Sequence, residues 1–249
     1  MKIALCFHGN TGFKEKLRGN NLVDLEPLDI KLPIKSIKEN LVNDHETDIF
    51  IHTWSKDKKK EIIKELAPVK SVFENHKNFS SDFKDRKNAT LSKYYSVEQV
   101  NKLKKEYEQK NNFRYDAVFH TRFDLVWFSK IPIEQEFKDK YLFFPNWNTS
   151  KSINNLGPFN KDNMHIGQRV FDAWFFTSSK VSDSYTKIYS NRRKLNKLSN
   201  KSWSAHRFAY LQSEIYNYEV RNILYRGYDY ELYRRYLNRD WKNSESTRA

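Results

Sequence analysis

The chain has 249 residues, of which 38% are hydrophobic and 16% aromatic, and it carries a formal net charge of +14. So much apolar and ring surface excludes a disordered chain, and the length favours one domain with a full hydrophobic core. The single cysteine, Cys6, excludes a disulfide framework or a cysteine-only zinc site within the chain. The apolar stretch near the N-terminus is too short for a signal peptide, and no run approaches the length of a membrane span, so we expect a soluble cytoplasmic protein.

Apolar runs alternate with helical patterns through the first third of the chain. Ile3 to Phe7 reads as a buried strand, and the loop "HGNTG" after it has two glycines, which suit either a ligand-wrapping loop or an ordinary mobile one. Four further elements follow: a helix over Lys31 to Asn43, a strand over Asp48 to Thr53, a helix over Lys58 to Leu66 and a strand in "VKSVFE". Continuous apolar strands separated by helices favour an α/β fold with a mainly parallel sheet.

A long strand is predicted in the middle of the chain. Residues 75–92 are polar and irregular, and Ser96 then reads as the N-cap of a helix, in a capping-box pattern. That helix leads into "YDAVFHTRFDLVWF", a strand from Tyr115 to Phe128. Arg122 and Asp124 stand near its carboxyl end, where open α/β sheets bind their ligands, and residues i and i+2 of a strand share a face.

Arg122 and Asp124 have two interpretations. In the first, they form a structural salt bridge at the end of a strand. In the second, the carboxylate holds a divalent cation and the guanidinium binds phosphate oxygens, so that together they stabilise a diphosphate leaving group.

The second half of the chain predicts fewer strands. A long polar loop, residues 146–168, separates the strand "YLFFP" from a strand in "VFDAWFFTSS" that opens with Asp172. Helices are predicted from about Ser182, over Ser204 to Tyr218 with Glu214 on it, and in the tail "YELYRRYLNRDW". Internal repeats and flexible linkers are absent from the sequence, so we expect one domain over residues 1–249.

The order of these segments resembles that of nucleotide-sugar glycosyltransferases of the GT-A type, in particular small enzymes of bacterial capsule clusters and large algal viruses. The segments are "IALCFHG", "DIFIHTW", "YDAVFHTRFDL", "VFDAWFFTSSK" and "LQSEIYNY". The resemblance implies a Rossmann-like GT-A fold, a single domain with a mixed, mainly parallel sheet flanked by helices. It also implies a nucleotide-binding half over residues 1–128, an acceptor-side half over 129–225 and a C-terminal helix or tail over 226–249.

The resemblance implies a donor site at the first strand and at the "TRFD" segment. Its nucleotide-sugar-binding residues are Phe7, His8, Gly9, Asn10, Thr11, Thr53, Arg122 and Asp124. The family's Asp-x-Asp motif binds Mn or Mg together with the sugar diphosphate. Here Arg122 replaces the first aspartate, so Asp124 is the carboxylate carried over as a metal ligand, and the arginine supplies part of the positive charge. His165 is an additional candidate metal ligand.

The resemblance also places acceptor-side residues in the second half of the chain. Asp172 is the first candidate for the base that accepts a proton from the attacking hydroxyl, and Glu214 is the second. The alternatives are a capping or hydrogen-bonding role for Asp172 and an ion pair for Glu214. Trp147 and Trp174 are candidate platforms for an acceptor sugar, or else core residues.

The function that follows is transfer of a hexosyl, deoxyhexosyl or pentosyl group from a UDP- or GDP-sugar to a glycan or glycoprotein acceptor. The net charge of +14 supports an alternative, a nucleic-acid-binding protein or nuclease. That alternative needs a continuous basic stripe or several convergent carboxylates, and the sequence shows neither. A dinucleotide-dependent oxidoreductase is disfavoured because "HGNTG" lacks the G-x-G-x-x-G spacing.

Overall fold

A computed structural model describes residues 1–18, 21–80, 86–133, 139–146, 170–226 and 229–233, with the backbone alone for 13–18, 21–27 and 146. Its strands are β1 Lys2–Gly9, β2 Phe13–Arg18, β3 Asn21–Pro27, β4 Glu46–Thr53, β5 Lys70–Phe73, β6 Ala117–Arg122, β7 Leu125–Trp127, β8 Tyr141–Asn146, β9 Phe175–Thr177, β10 Glu219–Tyr225 and β11 Tyr230–Leu232. Its helices are α1 Lys31–Asn40, α2 Lys59–Leu66, α3 Arg86–Asn111, α4 Ser179–Tyr185, α5 Arg192–Leu198 and α6 Ala205–Ile215, with a 3₁₀ turn at Val42–Asp44.

Seven of these strands form one mixed sheet in the order β10-β8-β9-β6-β1-β4-β5. β1 is parallel to both β4 and β6, β4 is parallel to β5, and β8 is parallel to β10. β9 runs antiparallel to its neighbours β6 and β8. The prediction of an α/β protein with a mainly parallel sheet flanked by helices is confirmed.

The apolar run of β1 is continuous because both faces of the sheet are covered. Ile3, Leu5 and Phe7 pack into the cluster that includes α1 and α2. Ala4 and Cys6 point the other way, into the cluster under α3. Cys6 is fully buried, and this burial raises the pKa of its thiol because the thiolate would be desolvated.

The helix predicted to start at Ser96 begins ten residues earlier, at Arg86, so the N-cap prediction is wrong. Residues 86–92, predicted to be irregular, are therefore helical. Ser96 is fully buried in the middle of α3, where its hydroxyl bonds the sheet instead of the helix terminus. A capping pattern is local, and it does not distinguish a serine that bonds its own helix from one that bonds a distant strand.

The long strand predicted over residues 115–128 is two strands. The chain leaves the main sheet after Arg122, turns at residues 123 and 124, and continues as β7, which pairs antiparallel with β11. Residues 230–232, predicted as part of a terminal helix, form β11, and residues 234–241 of that predicted helix lie outside the described residues. The antiparallel β2–β3 pair and β10 were not predicted. Within the described residues, no helix combines the length and apolar character needed to cross a bilayer.

Candidate functional site

The loop after β1 is fixed against β4 and α3 at the carboxyl edge of the sheet. The Thr53 hydroxyl donates to the Gly9 carbonyl over 2.7 Å, and the Ser96 hydroxyl accepts the Gly9 N–H over 2.8 Å. Further along the loop, the Thr11 N–H donates to the Ser55 hydroxyl over 3.0 Å. The predicted residues at the end of β1 thus form an ordered loop, in which Asn10 is half-buried and Thr11 is buried.

Gly12 brings this loop into contact with Asp124. Its φ is +95°, a conformation that favours glycine. A Cβ atom at this position would lie 2.9 Å from the Asp124 Cβ and 2.9 Å from the Leu28 Cδ1. The close approach therefore requires a glycine, and the loop and Asp124 form one packed unit.

Arg122 and Asp124 pair with each other. The guanidinium donates from Nε to Oδ1 over 2.7 Å and from an Nη nitrogen to Oδ2 over 2.6 Å. The Asp124 side chain is 4% exposed and the Arg122 side chain 35%. The Asp124 carbonyl also accepts the Tyr233 N–H over 2.8 Å. This geometry matches the first interpretation, a bidentate salt bridge. Part of the guanidinium still faces solvent.

The described residues do not fit a divalent metal at Asp124. Both oxygens of its carboxylate are occupied by Arg122, and a metal would have to displace that cation. Across the described part of the chain, no three His, Cys, Asp or Glu side chains are grouped to hold a metal. His165, the other predicted ligand, lies outside the described residues.

Asp172 lies in a turn just before β9 and is bound on both sides. Its Oδ1 is 2.6 Å from the His206 Nδ1, and its Oδ2 is 2.5 Å from the Lys93 Nζ. The Tyr94 hydroxyl donates to Oδ2 over 3.1 Å, and Lys93 also donates to the Asp172 carbonyl. Two elements thus converge on one carboxylate: α3 supplies Lys93 and Tyr94, and the first turn of α6 supplies His206.

The Asp172 carboxylate is held in its charged form. Burial alone would raise the pKa of Asp172, but the charge of Lys93 and the hydrogen bonds from Lys93 and His206 hold it well below its usual range. A carboxylate so strongly stabilised is a poor proton acceptor at neutral pH. The structure therefore disfavours the prediction that Asp172 itself is the base and gives it the hydrogen-bonding role.

The charges of Lys93 and Arg122 act on the same region at the carboxyl edge of the sheet. Burial and the neighbouring charges of Lys93 and Arg122 hold the pKa of His8 well below its usual range, which keeps this imidazole neutral. Burial also lowers the pKa of Lys93, and Asp172 opposes that effect. The ends of β1 and β6, the turn before β9 and the middle of α3 thus share one electrostatic environment.

Several predicted residues lie elsewhere. Phe7 is buried and stacks on Phe123, with ring centroids 4.8 Å apart. Trp174 is fully buried and stacks on Phe119, so it offers no ring face to a sugar. Glu214 is exposed on the last turn of α6, whereas His206 is on the first turn. Trp147 lies outside the described residues.

Sequence reasoning missed Lys93, Tyr94 and His206. Lys93 and Tyr94 lie three and two residues before Ser96, the predicted N-cap, so they fall outside the predicted helix. His206 carries a usable signal, because it is two residues after Ser204, which does cap α6 by accepting the Arg207 N–H. A cap at Ser204 places His206 on the first turn of the helix, yet no local pattern connects it with Asp172.

Comparison of the chain with models of protein families and with curated protein sequences finds no match. The function of the chain is therefore inferred from the geometry of this site and from the order of the sequence segments.

Proposed function

We propose that the chain transfers a glycosyl group from a nucleotide-diphosphate sugar, with UDP or GDP as the nucleotide, to a glycan acceptor. The observation that carries the proposal is the pair of cationic side chains, Arg122 and Lys93, at the carboxyl edge of a mainly parallel sheet. They stand beside an ordered loop with two glycines at positive φ, Gly9 and Gly12. Ligands of open α/β sheets bind at this edge, and such a loop lets a phosphate approach the backbone closely.

The chemistry requires positive charge where the bond to the diphosphate breaks. As the sugar leaves, negative charge develops on the diphosphate, and fixed cations in a partly buried site stabilise it. Arg122 has a partly exposed guanidinium held in place by Asp124, and the Lys93 side chain is 19% exposed. These two residues supply the charge that an Asp-x-Asp motif would supply through a metal, so we expect transfer to proceed without added Mn or Mg.

The test is a thermal-shift screen of UDP, GDP, CMP, their common sugar conjugates and a short DNA duplex, each with Mn and with EDTA. A ligand that binds the folded chain alone adds about 2.7 kcal/mol of stability at a hundredfold excess over its Kd. We expect one nucleoside diphosphate and its sugars to stabilise the chain, to a similar extent under both conditions.

The variant for this screen is Arg122→Gln/Asp124→Asn, which removes both charges and keeps a polar side chain at each position. It should fold and lose most of the nucleotide-dependent shift. Lys130→Gln/Asp44→Asn removes an exposed pair of the same type and should leave the shift unchanged. Stabilisation by DNA alone, fading with salt, would instead establish the nucleic-acid alternative.

A further inference from the structure

Resting on the proposed glycosyl transfer, we propose that His206 accepts the proton of the acceptor hydroxyl and that Asp172 is the residue that positions it. The resemblance implies Asp172 or Glu214 as the base. The structure points instead to the imidazole that Asp172 holds.

The hydrogen bond to Asp172 sets the tautomer of His206. The Nδ1 of His206 lies 2.6 Å from the Asp172 Oδ1 and 3.4 Å from the Asp172 backbone nitrogen. The shorter contact, to an ionised carboxylate, is the stronger one and assigns the proton to Nδ1. The lone pair of the neutral imidazole is therefore on Nε2, the atom that would receive a proton.

The exposure of the His206 and Asp172 side chains favours His206 as the proton acceptor. The His206 side chain is 30% exposed, whereas that of Asp172 is 9% exposed with both oxygens engaged. An acceptor hydroxyl from solvent therefore reaches the imidazole before it reaches the carboxylate. An imidazole is also the side chain whose ordinary pKa suits proton transfer near neutral pH.

Besides Asp172, a neighbouring ring and a hydrogen bond to the adjacent backbone hold the imidazole in position. The Phe171 ring stacks on it, with centroids 5.6 Å apart and an interplanar angle of 28°. The Tyr94 hydroxyl donates to the Ala205 carbonyl over 2.7 Å and thereby fixes the first turn of α6 to α3. Lys93, the residue before Tyr94, is one of the two cations assigned to the leaving diphosphate. The proton acceptor and the leaving-group cation are therefore joined through Asp172.

The proposed step balances as a single displacement. The acceptor oxygen attacks the anomeric carbon and forms the new glycosidic bond, while its proton passes to Nε2 of His206. The bond from the anomeric carbon to the diphosphate breaks, and its electron pair leaves with the diphosphate beside Arg122 and Lys93. The imidazolium then returns its proton to water. Because one displacement occurs, the anomeric centre is inverted.

The experiment measures release of UDP or GDP from UDP-glucose, UDP-galactose, UDP-N-acetylglucosamine and GDP-mannose, with water or a panel of p-nitrophenyl glycosides as acceptor. His206→Ala should lower the rate of release by about a hundredfold or more while leaving nucleotide binding unchanged. Added imidazole should restore part of the lost rate, which it would not do for a purely structural histidine. His45→Ala is the matched control and should keep full activity, because His45 lies just before the amino end of β4, away from the carboxyl ends of the strands.

Two further measurements separate the outcomes. The rates of wild type and His206→Gln are compared from neutral to acid pH, and we expect a decline in wild type that the residual rate of His206→Gln lacks. An active wild type whose His206→Ala and His206→Gln variants keep their rate would overturn this inference and leave the proposed function standing. A wild type that releases no nucleotide from any donor, with or without Mn, would overturn the proposed function itself.

Discussion

At the scale of single residues, the Arg122–Asp124 pair is asymmetric. Asp124 is almost completely buried, whereas about one third of the Arg122 side chain is exposed. If Arg122 is removed, a carboxylate remains in the protein interior without its counter-charge. If Asp124 is removed, the guanidinium can be solvated by water. The two halves of one salt bridge are therefore unequal in their contribution to stability.

Arg122→Ala should lower the free energy of unfolding by about 3–5 kcal/mol, and Asp124→Ala by about 1–2 kcal/mol. Urea unfolding followed by circular dichroism measures both values. Lys130→Ala, which removes one partner of an exposed pair, should cost less than about 1 kcal/mol and serves as the control. Equal costs for Arg122→Ala and Asp124→Ala would show that burial does not govern this pair.

Arg122 and Asp124 also show how much of this site could be predicted from the sequence. The sequence pattern predicted that Arg122 and Asp124 lie together at a strand end, because neighbours at i and i+2 depend on local geometry. It left open whether they pair with each other or hold a ligand, because that depends on the turn after Arg122, which directs Asp124 back toward the guanidinium. The contacts of Lys93 and His206 with Asp172 span 79 and 34 residues, beyond any local pattern.

At the scale of elements, α3 and the sheet edge are joined by one hydroxyl. The Ser96 Oγ accepts the Gly9 N–H, donates to the His52 carbonyl over 3.0 Å and lies 2.8 Å from the His52 Nδ1. The continuous apolar runs predict β1, β4 and β5 well, because such runs are a local feature of the sequence. The role of Ser96 was not predictable, since its partners are 44 and 87 residues away.

Ser96→Ala should destabilise the fold by about 1–3 kcal/mol, because it leaves buried polar groups on both β1 and β4 without their partner. Because the Gly9 N–H loses its acceptor, we also expect faster hydrogen exchange at the Gly9 amide. Gln109→Ala, an exposed position on the same helix, should change neither quantity. An unchanged exchange rate at Gly9 would mean that Thr53 alone holds the loop.

At the scale of the whole molecule, buried histidines make stability depend on pH. Burial lowers the pKa of His52 to about 4, although the carboxylate of Glu74 opposes this effect. Burial also holds the pKa values of His8 and His120 well below the usual range. In the unfolded chain these groups titrate near pH 6.5, so the unfolded state binds more protons below that pH.

Stability should therefore fall as the pH is lowered from about 6.5 to 4, and His52 alone should contribute about 3 kcal/mol to the loss. The Asp172 carboxylate changes the stability of the fold only at lower pH, because its stabilising contribution is lost below the pKa of an unfolded aspartate. Urea midpoints at pH 7, 6, 5 and 4 measure the effect, and His52→Asn should reduce the slope by about one proton. A constant midpoint between pH 7 and 5 would contradict the burial of neutral imidazoles.

The central position of β1 has a consequence for how the chain acquires its structure. β1 is synthesised before both of its partners, and it pairs on one side with β4 and on the other with β6, where Ile3 lies opposite Ala117. During translation its second edge has no partner until residues 117–122 emerge, several seconds later at about 5–20 residues per second. Until then an apolar strand with an open edge is exposed to other nascent chains. Fragments that end before β6 should therefore be prone to aggregation, even though they contain the complete glycine loop.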